Sequence, residues 1–498
     1  MNICGQDLRQ WSENRPALCQ VEKYLKSGRD FIDESLILAK LDTCNGNDKK
    51  RISDIIDKSM SIQSLSLEET AYLLNVKDKD LILLMARAAA EIKKKVYDNR
   101  IVTFAPLYLS NLCVNNCLYC GFRSSNNRSK KVLLSLEQVK SEVKVLAGEI
   151  GHKRLVVVYG EHPDCGIDYM VDTIKAIYDV KVKTKNGFGN IRRVNVNAPP
   201  LRVEELARLR EAGIGTYQVF QETYHRDTYN TVHPHGTIKN NYGWRLYTMH
   251  RAQEAGIDDV GIGVLFGLYD WRFEVMGLVA HSLALEEDFG IGPHTISFPR
   301  LEPADNTPFI SALGHKVSDD DFKKLIIVLR LAVPYTGMII TARETRQMRR
   351  QALALGITQT DASTKIGIGA YSDNDACLDG KREQFILGDT GSLEEVIGEF
   401  ASMGYISSFC TAGYRCGRTG KCIMELLRSG QEGKFCKLNA VLTFREWLDD
   451  FATEEVKKKS EPVIESEIKQ IKEQMPDMFC EFIKLYERVK KGERDLYF

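Results

Sequence analysis

The chain has 498 residues, and its 68 Lys and Arg side chains balance 68 Asp and Glu side chains, so its formal net charge is zero. A neutral chain is not expected to present the broad basic surface of a nucleic-acid-binding protein. Hydrophobic residues make up 43% and charged residues 27% of the sequence, which excludes disorder over most of the chain and is typical of a soluble globular protein. No apolar run reaches the roughly 18 residues of a membrane helix, so no membrane partner is expected.

The N-terminal segment MNICGQDLRQWSENRP has no basic stretch followed by an apolar one, so we predict no secretory signal and expect a cytoplasmic chain. In that reducing compartment, closely spaced cysteines indicate metal binding or catalysis rather than disulfides. Of the 13 cysteines, two groups are informative, at 113–120 and at 410–436.

Residues 1–98 are predicted to form an N-terminal helical layer. Segments such as RISDIIDKSM (51–60) and SLSLEETAYLLNV (64–76) place apolar residues three and four apart, with Ser or Asp where a helix would begin.

Residues 99–384 are predicted to form a (β/α)₈ barrel of the TIM type. Short apolar runs alternate with longer amphipathic stretches, a pattern that indicates buried parallel strands joined by helices. A doubly wound open sheet is the alternative fold with the same alternation. The predicted strands are 101–109, 153–160, 192–198, 214–222, 259–268, 293–300, 337–343 and 364–370.

After residue 384 the alternation stops, and 385–498 is predicted to be a C-terminal extension that carries the second cysteine group. That group includes the Gly-rich segment TAGYRCGRTGKC (411–422). The charge-rich residues 454–494 have a helical period and are predicted to present a solvated helix face.

The first cysteine group follows the first predicted strand, where the active sites of parallel barrels are built. Cys113, Cys117 and Cys120 have the spacing C-x₃-C-x₂-C. Three thiolates from one short loop suit a four-iron cubane cluster, which leaves one iron free to bind a small molecule through an amine and a carboxylate. A zinc loop is the alternative, but zinc sites usually combine C-x₂-C with a second, distant pair. Three unrelated buried cysteines would be an unusual coincidence within eight residues.

This loop resembles the defining motif of the radical S-adenosylmethionine enzymes, whose aromatic position is Tyr119 here. The resemblance implies a 4Fe–4S cluster on the three cysteines and S-adenosylmethionine as its ligand. It also implies reductive cleavage of S-adenosylmethionine to methionine and a 5′-deoxyadenosyl radical, which takes a hydrogen atom from the substrate. An external electron donor of the flavodoxin or ferredoxin type is implied with it.

Further segments, over about residues 60 to 450, are similar to tyrosine lyases of the HydG type, the 2-iminoacetate synthases that help to mature FeFe-hydrogenase. The resemblance implies cleavage of the Cα–Cβ bond of tyrosine to p-cresol and dehydroglycine, then conversion of dehydroglycine to CO and cyanide at a second cluster. Maturation partner proteins are implied as well. The segments are VYGEHP (158–163), GTYQVFQETYH (215–225), GIDDVGIGVLFGLYD (256–270), GPHTISFPRLEPA (292–304), RLAVPYTGMIITARE (330–344) and SFCTAGYRCGRTG (408–420).

Polar residues at predicted strand ends are candidate contacts of S-adenosylmethionine. Glu161 ends strand two and can accept hydrogen bonds from a ligand ammonium group, as the resemblance implies; a helix N-cap is the alternative. Gln221 and Glu222 end strand four and could instead be spacers. The resemblance implies that Arg245 binds the carboxylate of S-adenosylmethionine.

Arg343 ends predicted strand seven, and a guanidinium is the usual bidentate partner of an amino-acid carboxylate. An unpaired charge at a buried barrel mouth is costly, which favours an anionic substrate. In the tyrosine and tryptophan lyases an Arg of this element holds the substrate carboxylate, and Ser363, at the start of strand eight, is implied to make a second contact. This chain reads DAS where the family often reads SAGS.

The second cysteine group departs from the family's C-x₂-C-x₂₂-C pattern. Cys410 and Cys436 hold the first and last positions, but Gly413 replaces the middle cysteine. Cys416 and Cys422 give the spacing C-x₅-C-x₅-C-x₁₃-C. Either Cys416 takes over as a ligand of a second iron–sulfur cluster, or the cluster is lost or replaced by another metal such as zinc. We favour a metal site, because free exposed thiols are a liability in cells.

Several histidines remain as candidates. The resemblance implies that His281 holds an extra iron at the second cluster; a structural histidine on an amphipathic helix is the alternative. Candidates for proton transfer from the tyrosine phenol are His162, His225, His233 and His235.

Two other functions stay open: a radical lyase that acts on another aromatic amino acid or stops at dehydroglycine, and a non-catalytic iron–sulfur or iron carrier. The presence of both Glu161 and Arg343 argues against a carrier.

Overall fold

The computed structural model describes residues 5–304, 307, 314–372, 383–416 and 432–498. Its centre is a barrel of eight parallel strands, closed by the pairing of the first strand with the eighth, with Val102 opposite Gln359. The predicted barrel is confirmed, and the closure excludes the open sheet. The strands are β1 Arg100–Tyr108, β2 Arg154–Val158, β3 Arg193–Asn197, β4 Tyr217–Gln218, β5 Val260–Gly263, β6 Thr295–Ser297, β7 Gly337–Ile340 and β8 Gln359–Asp361.

The prediction for strand eight was wrong. It placed the strand at 364–370, but that segment forms a loop and a turn after β8. The true strand is three residues long and polar, so it has no apolar run to reveal it. Ile366 and Ile368 of the predicted run are buried in the core, which explains their apolar character.

Helices surround the barrel between the strands, as the right-handed βαβ connection requires. A short antiparallel ribbon pairs Val182–Lys183 with Phe188–Gly189. The α-helices of this ring are Leu136–Val145, Ile167–Asp179, Val203–Glu211, Arg226–Val232, Tyr242–Leu246, Thr248–Glu254, Trp271–Phe289, Asp319–Ala332 and Arg346–Leu355.

The N-terminal residues form helices that pack on one side of this ring. Asp33, Asp48, Ser66 and Asp78 each precede a helix and accept hydrogen bonds from its first amides, so the caps decide where these helices begin. The layer contacts the barrel helices Trp271–Phe289 and Asp319–Ala332. Its helices are Gly5–Asn14, Cys19–Glu22, Glu34–Thr43, Lys49–Met60, Leu67–Leu74 and Lys79–Tyr97.

The C-terminal residues extend the barrel sheet as well as covering it. A ninth strand, β9 (Ile406–Ser408), pairs in parallel with the beginning of β1. A buried ion network joins the following helices to the barrel: Lys153 Nζ lies 2.8 Å and Arg192 Nη1 3.0 Å from the Glu446 carboxylate. The described helices here are Leu393–Ser402, Ala412–Arg415, Glu432–Phe451, Glu454–Gln474 and Pro476–Lys490.

In the part of the chain that the structure describes, none of the helices combines the length and the apolar surface needed to cross a bilayer.

Candidate active site

A cavity opens at the C-terminal ends of the barrel strands and reaches down to Phe104, Val156 and Ile339, which contact one another midway along β1, β2 and β7. Its wall includes residues from the ends of the strands and from the loops that follow them. It is therefore placed where parallel barrels carry their active sites.

Cys113, Cys117 and Cys120 all line this cavity. Asn111 closes the loop that carries them, because its side-chain Oδ1 accepts from Val132 N (2.7 Å) and its Nδ2 donates to Lys130 O (2.8 Å). The structure thus brings the three predicted cysteines together.

Burial raises the pKa of Cys113, and raises that of Cys117 to about 12, with neighbouring thiols of the loop adding to both effects. Such thiols ionise readily only beside a cation, so the donor set fits a metal cluster.

Glu161 lies in the cavity wall and is 4% exposed. Asn115 Nδ2 donates to its Oε2 at 2.5 Å, while Oε1 is buried and has no hydrogen-bond partner among the described residues. Burial raises the pKa of this carboxyl. A buried, unsatisfied carboxylate oxygen at a cavity wall is suited to receive a ligand ammonium group.

Glu222 and Arg245 also line the cavity and form an ion cluster with Lys239. Glu222 Oε1 lies 2.7 Å from Lys239 Nζ and 3.3 Å from Arg245 Nη2. Arg245 Nε donates to Phe220 O (2.6 Å), which fixes the guanidinium at the cavity. Gln221 is buried but does not line the cavity, although its neighbours Phe220 and Glu222 do.

Tyr119 lines the cavity, and its hydroxyl lies 2.8 Å from His233 Nε2. Burial lowers the pKa of His233 well below its usual value, so the ring is neutral and supports the tyrosine. The other candidate histidines lie outside the cavity lining: His162 and His225 cap helical turns, and His235 is exposed.

Arg343 follows β7 and lines the same cavity as the cysteine loop, with its Cζ 3.3 Å from the centroid of the Phe385 ring. Burial lowers the pKa of this guanidinium, and it forms no ion pair with any described carboxylate. Asp361, at the end of β8, lines the same cavity, and burial raises its pKa to about 6.

Ser363 is not positioned to contact a ligand in this cavity. It follows β8 instead of preceding it, has a φ of 50°, and its Oγ accepts from Leu393 N at 2.7 Å. The hydroxyl satisfies the first amide of the helix Leu393–Ser402, so the sequence prediction of a carboxylate contact is corrected.

Cys410 and Cys436 both lie near Arg100 at the beginning of β1, at the other end of the barrel. Burial alone would lower the pKa of Arg100, but the two thiols raise it, and Cys436 also hydrogen-bonds to it. Cys416 is exposed, and its Sγ contacts Phe498 O at 3.3 Å. Cys422 lies outside the described residues. The described residues therefore do not assemble three thiols for a second cluster.

His281 is not brought to these cysteines. Its helix, Trp271–Phe289, follows β5, which lies opposite β1 in the closed ring. Its Nδ1 lies 2.9 Å from the Tyr224 hydroxyl, and its ring packs against Phe31. These contacts favour the structural alternative for His281, which packs between the barrel and the N-terminal layer, and its role as an iron ligand stays a prediction.

Sequence reasoning missed several residues of the cavity, among them Asn115, Lys239, Asp361 and Gln384. Asn115 carried a signal, since it lies inside the cysteine loop. Asp361 belongs to the segment DAS, which was considered only for Ser363. Lys239 and Gln384 are distant in sequence from the cysteine loop and were not marked by any motif.

Comparison with known proteins agrees with this geometry. Residues 107–276 match the Radical SAM superfamily, and residues 297–406 match the Biotin and Thiamin Synthesis associated domain. A solved structure of HydG, a maturase of the FeFe-hydrogenase, is 46% identical, covers 94% of this chain and 100% of that chain, and has a TM-score of 0.88. This chain belongs to the HydG family. It is therefore a radical S-adenosylmethionine enzyme, and its family implies a 4Fe–4S cluster and S-adenosylmethionine at the loop cysteines.

Two other relatives are similar to this chain. HydG from Carboxydothermus hydrogenoformans is 37% identical, covers 92% of this chain and 98% of that chain, and has a TM-score of 0.74. The 2-iminoacetate synthase of Escherichia coli K12 is 29% identical over 351 residues, which are 70% of this chain and 88% of that protein.

Proposed function

We propose that the chain cleaves the Cα–Cβ bond of L-tyrosine to p-cresol and dehydroglycine and consumes S-adenosylmethionine. The observation that carries this proposal is Arg343, a buried guanidinium that shares one cavity with the three loop cysteines and has no ion-pair partner among the described carboxylates. A buried cation without such a partner favours an anionic ligand, and an amino-acid carboxylate matches its fork geometry.

In this proposal the loop cysteines hold the cluster. Glu161 receives the ammonium group of S-adenosylmethionine on its unsatisfied Oε1, and Arg245 receives the carboxylate. When bound, the cluster and S-adenosylmethionine supply the 5′-deoxyadenosyl radical that takes a hydrogen atom from the amino group of tyrosine.

Arg343 holds the substrate carboxylate, so that the amino group faces the cysteine end of the cavity. This orientation matters because a 1 Å displacement of a reacting group can lower the rate about a hundredfold. The buried apolar side chains of Phe104, Val156 and Ile339 close the inner part of the cavity to water. A flavodoxin- or ferredoxin-type protein would deliver the electron, and proteins of hydrogenase maturation would receive the products.

The test is an anaerobic assay of the reconstituted chain with dithionite, S-adenosylmethionine and tyrosine. We expect p-cresol and 5′-deoxyadenosine, and Arg343→Met should lose p-cresol formation. Arg210→Met is the matched control, because Arg210 is exposed on the helix Val203–Glu211. Absence of p-cresol with wild-type protein would refute the proposal. If tryptophan is cleaved instead, the substrate is another aromatic amino acid, and if no 5′-deoxyadenosine forms, the carrier hypothesis stands.

A second candidate is a lyase that ends at dehydroglycine. The contacts at the C-terminal group favour it, because Gly413 replaces a cysteine and Cys416 is engaged with Phe498. Trapping of CO with deoxyhaemoglobin in the same assay separates the two: p-cresol without CO supports the shorter reaction, and p-cresol with CO supports the full one.

A further inference from the structure

The segment Gln384–Phe385, which we name the bridge segment, joins the cysteine loop to Arg343. Gly121 N, next to Cys120, donates to Gln384 O at 3.2 Å. A Cβ at position 121 would lie 2.6 Å from Glu383 O, so only glycine allows this approach. Phe385 stacks on the guanidinium of Arg343. The bridge segment is therefore fixed to both ends of the proposed reaction site.

The side chain of Gln384 points to the cysteine loop and lines the cavity. Its Nε2 donates to Cys120 Sγ at 3.6 Å, and its Oε1 accepts from the Tyr108 hydroxyl at 3.1 Å. A thiolate that binds a metal can only accept a hydrogen bond, so the amide turns its N–H group to Cys120 and its oxygen to the Tyr108 hydroxyl, which donates.

We propose that Gln384 is a positioning residue that raises the reduction potential of the cluster through its N–H donor to Cys120. This inference rests on one part of the proposed function, the cluster on the loop cysteines, and does not need the lyase reaction. Addition of one electron increases the negative charge on the sulfur ligands, so a hydrogen bond to Cys120 stabilises the reduced state more than the oxidised one. Hydrogen bonds to ligand sulfurs are among the terms that set cluster potentials.

The experiment is a redox titration, followed by electron paramagnetic resonance, of the full chain reconstituted with iron and sulfide. We expect Gln384→Leu to shift the midpoint potential to a more negative value at wild-type iron content. Gln384→Glu keeps the size of the side chain and an oxygen for Tyr108, but removes the N–H donor and adds negative charge, so its shift should be larger. The matched control is Gln351→Leu, an exposed position on the helix Arg346–Leu355, which should leave the potential unchanged.

An unchanged potential in either variant that retains its cluster overturns the proposal. If Gln384→Leu does not retain iron, Gln384→Glu decides the question. Loss of iron in both variants also overturns it, since a positioning residue changes the potential of a cluster that still assembles. The titration needs no tyrosine, so a failure of the lyase reaction and a failure of this inference can be told apart.

Discussion

Asn115 joins the cysteine loop to Glu161: its Nδ2 donates to Glu161 Oε2 at 2.5 Å, and its Oδ1 accepts from Lys239 N at 2.9 Å. The Asn115 side-chain amide thus fixes the relative positions of three segments of the cavity wall. It leaves the second carboxylate oxygen of Glu161 free of a described hydrogen bond, which is the oxygen that the proposed ligand ammonium requires.

We predict that Asn115→Ala weakens binding of S-adenosylmethionine about tenfold or more, because loss of a hydrogen bond to a charged group costs roughly 1.5–3 kcal/mol. The dissociation constant of S-adenosylmethionine for the reconstituted protein is the measurement. Asn47→Ala, at an exposed turn, is the control. Equal affinity of Asn115→Ala and wild type would contradict the role given to Glu161.

Cys117→Ala should abolish both p-cresol and 5′-deoxyadenosine, because it removes one of the three thiols that line the cavity. Chromatography of both products in the anaerobic assay is the check. Cys480→Ala, at an exposed cysteine on the helix Pro476–Lys490, should keep full activity. Either product at wild-type level in Cys117→Ala would disprove the cluster assignment.

The double variant Cys410→Ala/Cys436→Ala should keep p-cresol formation. These thiols lie beside the beginning of β1, and the nine residues of that strand separate them from the cysteine loop that follows it by roughly 25 Å at about 3.3 Å per residue. The rate of p-cresol formation per loop cluster is the quantity to compare. A loss of that rate, with the loop cluster intact, would show that the two ends of the barrel depend on each other.

Glu446→Gln should destabilise the protein by about 3–5 kcal/mol, because it removes the anion from buried Lys153 and leaves Asp495 alone to pair with buried Arg192. Burial alone would raise the pKa of Glu446, but Lys153 and Arg192 hold it well below its usual range. Its contribution is therefore complete above the unfolded pKa of about 4.3 and is lost as the pH falls through the lower folded value.

Thermal unfolding measured between neutral pH and pH 3 tests this prediction. Wild-type stability should fall in the acid range, and the difference from Glu446→Gln should narrow there. Glu481→Gln, at an exposed carboxylate, should match the wild type at every pH. A difference between Glu446→Gln and wild type that stays constant down to pH 3 would contradict the depressed pKa.

The sequence predicted seven of the eight barrel strands but not β8. Apolar runs revealed seven barrel strands, since a buried parallel strand must be apolar along most of its length. β8 escaped because it is short and polar, and the apolar run after it is buried outside the sheet. This error put Ser363 at the wrong end of a strand.

The cysteine loop, its cluster chemistry and the family were evident from the sequence alone, because three thiols within eight residues are a local pattern that needs no knowledge of the fold. Only the tertiary structure decided what surrounds them. It brought Arg343, Lys239 and Gln384 to the same cavity, turned the Ser363 hydroxyl to the first amide of a later helix, and packed His281 against the N-terminal layer. These relationships join residues far apart in the chain, and the closing of the barrel, which brings distant strand ends to one face, determines them.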